Sequence, residues 1–97
     1  MAKGYWIAHN QVTDVEAYEG YKVAAAPALR AYGAKFLVRG GAAEFPEGSL
    51  HPRTIVIEFP SLQAAQDCYA SASYQVAKTI REPVSIGDIV IVEGYDG

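Results

Sequence analysis

The apolar positions along the chain switch between a period of two and a period of three to four, and the switches mark out six elements. Lys3–Val12 is aromatic and β-branched enough to form a first strand. Tyr5, Ile7, His9 and Gln11 share one of its faces, and Trp6, Ala8, Asn10 and Val12 the other. Thr13-Asp14-Val15-Glu16 reads as a capping box, with Thr13 accepting from the backbone at Glu16. The helix it opens carries Tyr18, Tyr21, Ala25, Leu29 and Tyr32 as one apolar stripe. Pro27 falls inside that stripe and predicts a kink or a restart, while Gly33 predicts a left-handed stop. Lys35–Gly41 is the second strand, its closing glycine pair the mark of a bulge. Phe45–Gly48 is turn chemistry, so this strand is expected to fold back on Thr54–Phe59 as a long hairpin. Ser61 caps a second helix with Leu62, Ala65, Tyr69 and Ala72 on one side. Ser71-Ala72-Ser73 interrupts it, helical spacing resumes over Tyr74–Arg81, Pro83 closes the element and Ile89–Glu93 is the last strand.

Strand, helix, strand, strand, helix, strand is the order of a ferredoxin-like α+β domain, and the 97 residues suffice for one such domain over 1–97. In this arrangement the first and third strands are expected to be central and parallel, with the second and fourth antiparallel at the edges. Two helices cover one face of a four-stranded sheet. Yet the third and fourth strands are apolar on both faces, with Ile55, Ile57 and Phe59 against Val56, and Ile89 and Ile91 against Val90 and Val92. Each such side chain contributes roughly 1.5–3 kcal/mol on burial, so a second face left in water forfeits several of these. A twofold homodimer with its sheets face to face is the expected remedy.

Lys3–Ala8, Val12–Asp14 leading to Ala17 and Tyr18, Phe36–Gly41, Val56–Ser61 and Val90–Gly94 together resemble a bacterial family of small uncharacterised proteins. It is the domain-of-unknown-function family thirteen-thirty, in the dimeric α/β-barrel superfamily, and the resemblance runs from about residue 3 to residue 94. It implies the ferredoxin-like fold and a homodimeric barrel, and it implies no particular reaction. The superfamily includes cofactor-independent monooxygenases, muconolactone-type isomerases and haem-degrading enzymes, whose catalytic signatures have no counterpart residues here.

Composition narrows the partners. A net charge of −3, from 8 Lys+Arg against 11 Asp+Glu scattered along the chain, argues against a nucleic-acid binder. The apolar runs are too short to span a membrane, and His9, Asn10 and Gln11 interrupt any signal-peptide core. A single cysteine, Cys68, excludes an internal disulfide and fits a reducing, cytoplasmic setting. The two histidines have no metal-ligand spacing, so neither a metal nor another cofactor is expected.

Polar groups inside apolar strands carry what functional information there is, because each must be paired or must face a wet cavity. A hairpin centred near Gly48 and Ser49 sets Arg39 opposite Glu58. Two readings fit this pair. Arg39 anchors a carboxylate or enolate in a pocket while Glu58 moves a proton, or the two form a cross-strand ion pair that fixes register and dimer packing. His9, beside Tyr5, is either an acid–base catalyst or a hydrogen-bonded strand residue. Trp6 fits a cavity wall or a dimer interface, and Tyr69 and Tyr74 flank the break in the second helix, where a ligand pocket could open. The expectation is therefore a small organic, anionic ligand held by Arg39, Tyr5, Trp6, Tyr69 and Tyr74, with His9 and Glu58 available for cofactor-free acid–base or oxidation chemistry. The competing expectation is a non-catalytic homodimeric module.

Overall fold

The computed structural model describes residues 2–96. Four strands, β1 (Gly4–Val12), β2 (Lys35–Arg39), β3 (Arg53–Phe59) and β4 (Ser85–Glu93), form one sheet in the order β2-β3-β1-β4. Helices α1 (Val15–Ala31), α2 (Leu62–Ala70) and α3 (Ala72–Arg81) carry the crossovers, and a short 3-10 turn, Glu82–Val84, leads into β4. The architecture is the ferredoxin-like one.

Every neighbouring pair of strands is antiparallel, including the central pair β1 and β3, where Gly4 faces Phe59 and Asn10 faces Arg53. The expectation of a parallel central pair is thereby corrected. A helical crossover returns the chain to the end of the sheet from which it started, so β1 is parallel to β2. The hairpin strand β3 then inserts between those two and runs against both.

Local chemistry explains the element ends, with some differences from the sequence reading. The cap of α1 is Asp14 rather than Thr13; its Oδ1 accepts from the Ala17 amide at 3.1 Å, and the Thr13 N–H donates to the Val84 carbonyl instead. One continuous helix runs through Pro27. Val23 and Pro27 both lie on the solvent side, so the carbonyl that loses its partner there faces water. At the other end Gly33, with φ of 76°, allows its own N–H to reach Arg30 and that of Ala34 to reach Leu29, which closes the helix. The second helical region is two helices hinged at Ser71 alone. Its Oγ donates to the Cys68 carbonyl at 2.7 Å and accepts from the Tyr74 amide at 3.2 Å, ending α2 and starting α3.

Trp6, Ile55, Ile57 and Phe59 point to the helices and meet Ala65, Cys68, Tyr74 and Ala77 in a buried core. The Trp6 indole donates to the Ala65 carbonyl at 2.9 Å, so the largest core side chain leaves no orphan donor. Small residues let α2 sit close on the sheet, whereas α1 packs chiefly along α3. That leaves space between α1 and the sheet.

Candidate functional site

The space is a cavity of about 290 Å³, roofed by α1 and α3 and floored by the helix-facing side of the sheet. Ala8, Ile55 and Ile57 make the apolar floor, and Trp6, Tyr18, Tyr21, Phe36 and Tyr74 supply aromatic walls. Arg30, Arg39, Arg53 and Arg81 also line it, and these are all the arginines the chain has. Among the described residues both ion pairs, Lys22–Glu19 and Lys78–Glu82, use lysines, so no arginine is spent on a carboxylate. Asp88 is the one acidic residue of the lining. It pairs with His9 across the strands, and alternation sends its side chain to the other face of the sheet.

Three of the four guanidinium groups lie over aromatic rings instead. Arg39 lies 4.0 Å from the centroid of Phe36, Arg53 5.4 Å from that of Tyr18 and Arg81 5.7 Å from that of Tyr21. A guanidinium stacked on a ring keeps its charge and its in-plane N–H groups free for an anion. Arg81 Nε is buried without a hydrogen-bond partner, as is Asn10 Oδ1.

Tyrosine hydroxyls add neutral polar groups beside the arginines. Tyr18 accepts from Asn10 Nδ2 at 3.1 Å and from Arg53 Nη1 at 3.2 Å, which leaves its own proton free to donate. Tyr21 and Tyr74 share a hydrogen bond of 2.9 Å. Burial, then the neighbouring phenols, hold Tyr21 above the ordinary tyrosine range, and burial does the same for Tyr74, so both stay neutral donors. The cavity therefore offers cationic and neutral donors around an apolar floor, an arrangement suited to an organic anion.

The residues singled out from the sequence divide between the two faces of the sheet. Arg39, Trp6 and Tyr74 line the cavity. Tyr69 packs edge-on against Trp6, 5.8 Å away, and beside Tyr74 at 5.5 Å, outside the lining. Tyr5, His9 and Glu58 lie on the opposite, helix-free face. There the Tyr5 hydroxyl donates to Glu58 Oε2 at 3.0 Å, and His9 Nδ1 lies 3.1 Å from Thr54 Oγ1. The hydrogen bond to Glu58, and then burial, raise the Tyr5 phenol above its usual range.

The expected Arg39–Glu58 pair does not form. Glu58 faces Lys35, four residues before Arg39, because β2 and β3 pair in a different register from that of a hairpin centred near Gly48 and Ser49. In addition a bulge, one extra residue between Phe36 and Val38, sets Arg39 opposite Ile55. The bulge turns Arg39 from the face of Glu58 to the cavity side. Sequence reasoning missed Arg53, Arg81, Asn10 and Tyr18 as site residues. The signal for Arg53 was present, since it has the same strand parity as the buried Ile55, Ile57 and Phe59.

Fold and site together define the class: a small ferredoxin-like α+β protein with an arginine-lined cavity between helices and sheet. The chain belongs to the family described as a domain of unknown function, DUF1330, whose family model matches residues 3–95. No curated protein matches the sequence. Among solved structures, a protein of unknown function from Rhodopseudomonas palustris, RPA0582, is similar at 14% identity with a TM-score of 0.78, over 99% of this chain and 85% of that one. SnoaB from Streptomyces nogalater, a cofactor-independent oxygenase, is 10% identical with a TM-score of 0.65, over 100% and 97% of the two chains. A dimeric ferredoxin-like protein from Thermobifida fusca is 17% identical with a TM-score of 0.58, over 95% and 89%. At these identities the likeness is one of fold.

Proposed function

We propose that this protein is a homodimer whose protomers each hold a small organic anion in the cavity between α1, α3 and the sheet. The observation that carries the reading is the convergence of all four arginines, none in an ion pair among the described residues, on one apolar-floored cavity of a chain whose net charge is −3. Clustered like charges repel one another, and an acidic protein has carboxylates to spare for neutralising them. Leaving the guanidinium groups unpaired makes physical sense where a ligand supplies the negative charge.

Dimerisation rests on the helix-free face. Val38, Ile86, Val90 and Val92 are exposed there, beside the half-buried Ile7 and Val56. That the Thermobifida protein of the same fold is described as dimeric supports the assembly, without bearing on the face used. The Tyr5–Glu58 and His9–Thr54 pairs belong to that surface, and their reading is as polar contacts that fix the register of two protomers. Among the described residues no group of His, Cys, Asp and Glu could hold a metal ion, and no helix is long and apolar enough to cross a membrane. The oxygenase SnoaB, which acts without a cofactor, supports the cavity as a place for cofactor-free chemistry on an organic molecule. The buried single thiol of Cys68 fits the cytoplasm.

Native mass spectrometry of freshly purified protein tests both parts at once. The expected result is a dimer that carries an added organic mass, released by high salt. A monomer at micromolar concentration refutes the assembly, and a dimer that neither retains nor takes up any organic acid refutes the ligand.

A further inference from the structure

Resting on that reading of the cavity, we propose that its ligand is a dianion: a flat, mainly apolar molecule with acidic groups at two edges, of the aromatic dicarboxylate class. The arginines fall on different walls. Arg39 and Arg53 stand at adjoining ends of β2 and β3, where Arg39 pairs with Ile55 and the Arg53 side chain lies against Gly40. Arg81 ends α3 and lies against Tyr21 rather than Tyr18, the ring that holds Arg53; the two rings are 5.2 Å apart. A single carboxylate accepts one bidentate guanidinium fork, or two forks that share an edge. Bound to the Arg39 and Arg53 forks, it leaves Arg81 Nε, on another element, without an acceptor. Inorganic phosphate carries enough charge but leaves Ala8, Ile55 and Ile57 facing nothing apolar. A ring between two carboxylates satisfies the floor and both walls.

Trp6 is the only tryptophan of the chain and lines the cavity, so its fluorescence reports occupancy directly. The purified dimer is titrated with terephthalate, benzoate and inorganic phosphate at one ionic strength. Terephthalate is expected to bind at least about tenfold more tightly than benzoate, a difference of about 1.4 kcal/mol. Arg81→Gln is expected to lower terephthalate affinity more than benzoate affinity and so to close that gap. Arg39→Gln, at an exposed strand end, should lower the affinity for terephthalate and provides a second route should Arg81→Gln disturb the helices. Equal binding of benzoate and terephthalate overturns the dianion and leaves the anion site standing. Phosphate binding alone overturns the apolar body. No response to any of the three, with calorimetry silent as well, overturns the anion site itself.

Discussion

Arg53 Nη1 donates to the Tyr18 hydroxyl across 3.2 Å, joining the first residue of β3 to the first turns of α1 in the cavity lining. The same oxygen accepts from the buried Asn10 amide, so a single phenol satisfies two donors that would otherwise have none. Tyr18→Phe deletes that acceptor with little change of shape. Asn10 Oδ1 already lacks a partner, and the substitution leaves the rest of its amide bare as well. A buried orphan of this kind costs about 1–3 kcal/mol, so the urea midpoint is expected to fall accordingly. Ligand affinity should fall with it, because Arg53 loses its anchor. An unchanged midpoint would mean that water already serves both donors.

Much of this was legible in the sequence, and the exceptions have local causes. Element order, the Gly33 stop and the common face of Ile55, Ile57 and Phe59 follow from local pattern, which acts within a few residues; that this face and Trp6 meet the helices does not. Arg39 misses Glu58 because the hairpin pairs Glu58 with Lys35, and one extra residue between Phe36 and Val38 then puts Arg39 on the other face. A single inserted residue exchanges the faces of everything beyond it, and strand propensity contains no signal for where it falls. The convergence of four arginines was hidden for a different reason: they are spread from residue 30 to residue 81, and only the fold sets Arg81 of α3 over the ring of Tyr21 of α1.

Gly87 lies opposite Asn10, and both line the cavity. A Cβ placed there meets the His9 carbonyl, and Asn10 Cβ at 2.7 Å. The first of these neighbours is backbone and cannot rotate away, so β4 must shift. Gly87→Ala is expected to cost about 1–3 kcal/mol of stability. It should also perturb the Trp6 emission, since β4 carries Ile89 at the cavity wall. Gly41→Ala, where a Cβ meets nothing, is the matched control and should be silent.

Stability should fall in alkali. Burial pushes the Cys68 thiol from 9.0 up to about 11, and burial also raises the Tyr21 and Tyr74 phenols. A raised pKa means that the folded state holds its proton where the unfolded state has released it, so unfolding gives up protons and becomes easier as pH rises. The contribution is fully present below pH 9.0 and is lost as pH climbs through about 11. Melting temperature is expected to be flat with respect to these groups from neutral pH to about 9, then to decline. Cys68→Ala should flatten the first part of that decline, leaving the later part to the two tyrosines.

The helix-free face offers the last test. Val90 is 51% exposed and pairs with Ile7 of β1, midway along the edge strand β4 on that surface. A twofold interface places each substitution twice, so Val90→Glu introduces two carboxylates into one apolar contact. Each must either lose its hydration or hold the sheets apart, at a cost of several kcal/mol. Dimer dissociation, followed by sedimentation at decreasing concentration, is expected to strengthen by at least about a hundredfold. Glu58→Gln removes the charge that accepts from Tyr5 on the same face, and it should weaken the dimer far less. Neither residue lines the cavity, so terephthalate binding measured on dimer should survive both changes. Loss of binding in Glu58→Gln with the dimer intact would return Glu58 to the ligand and contradict the division of roles between the two faces of the sheet.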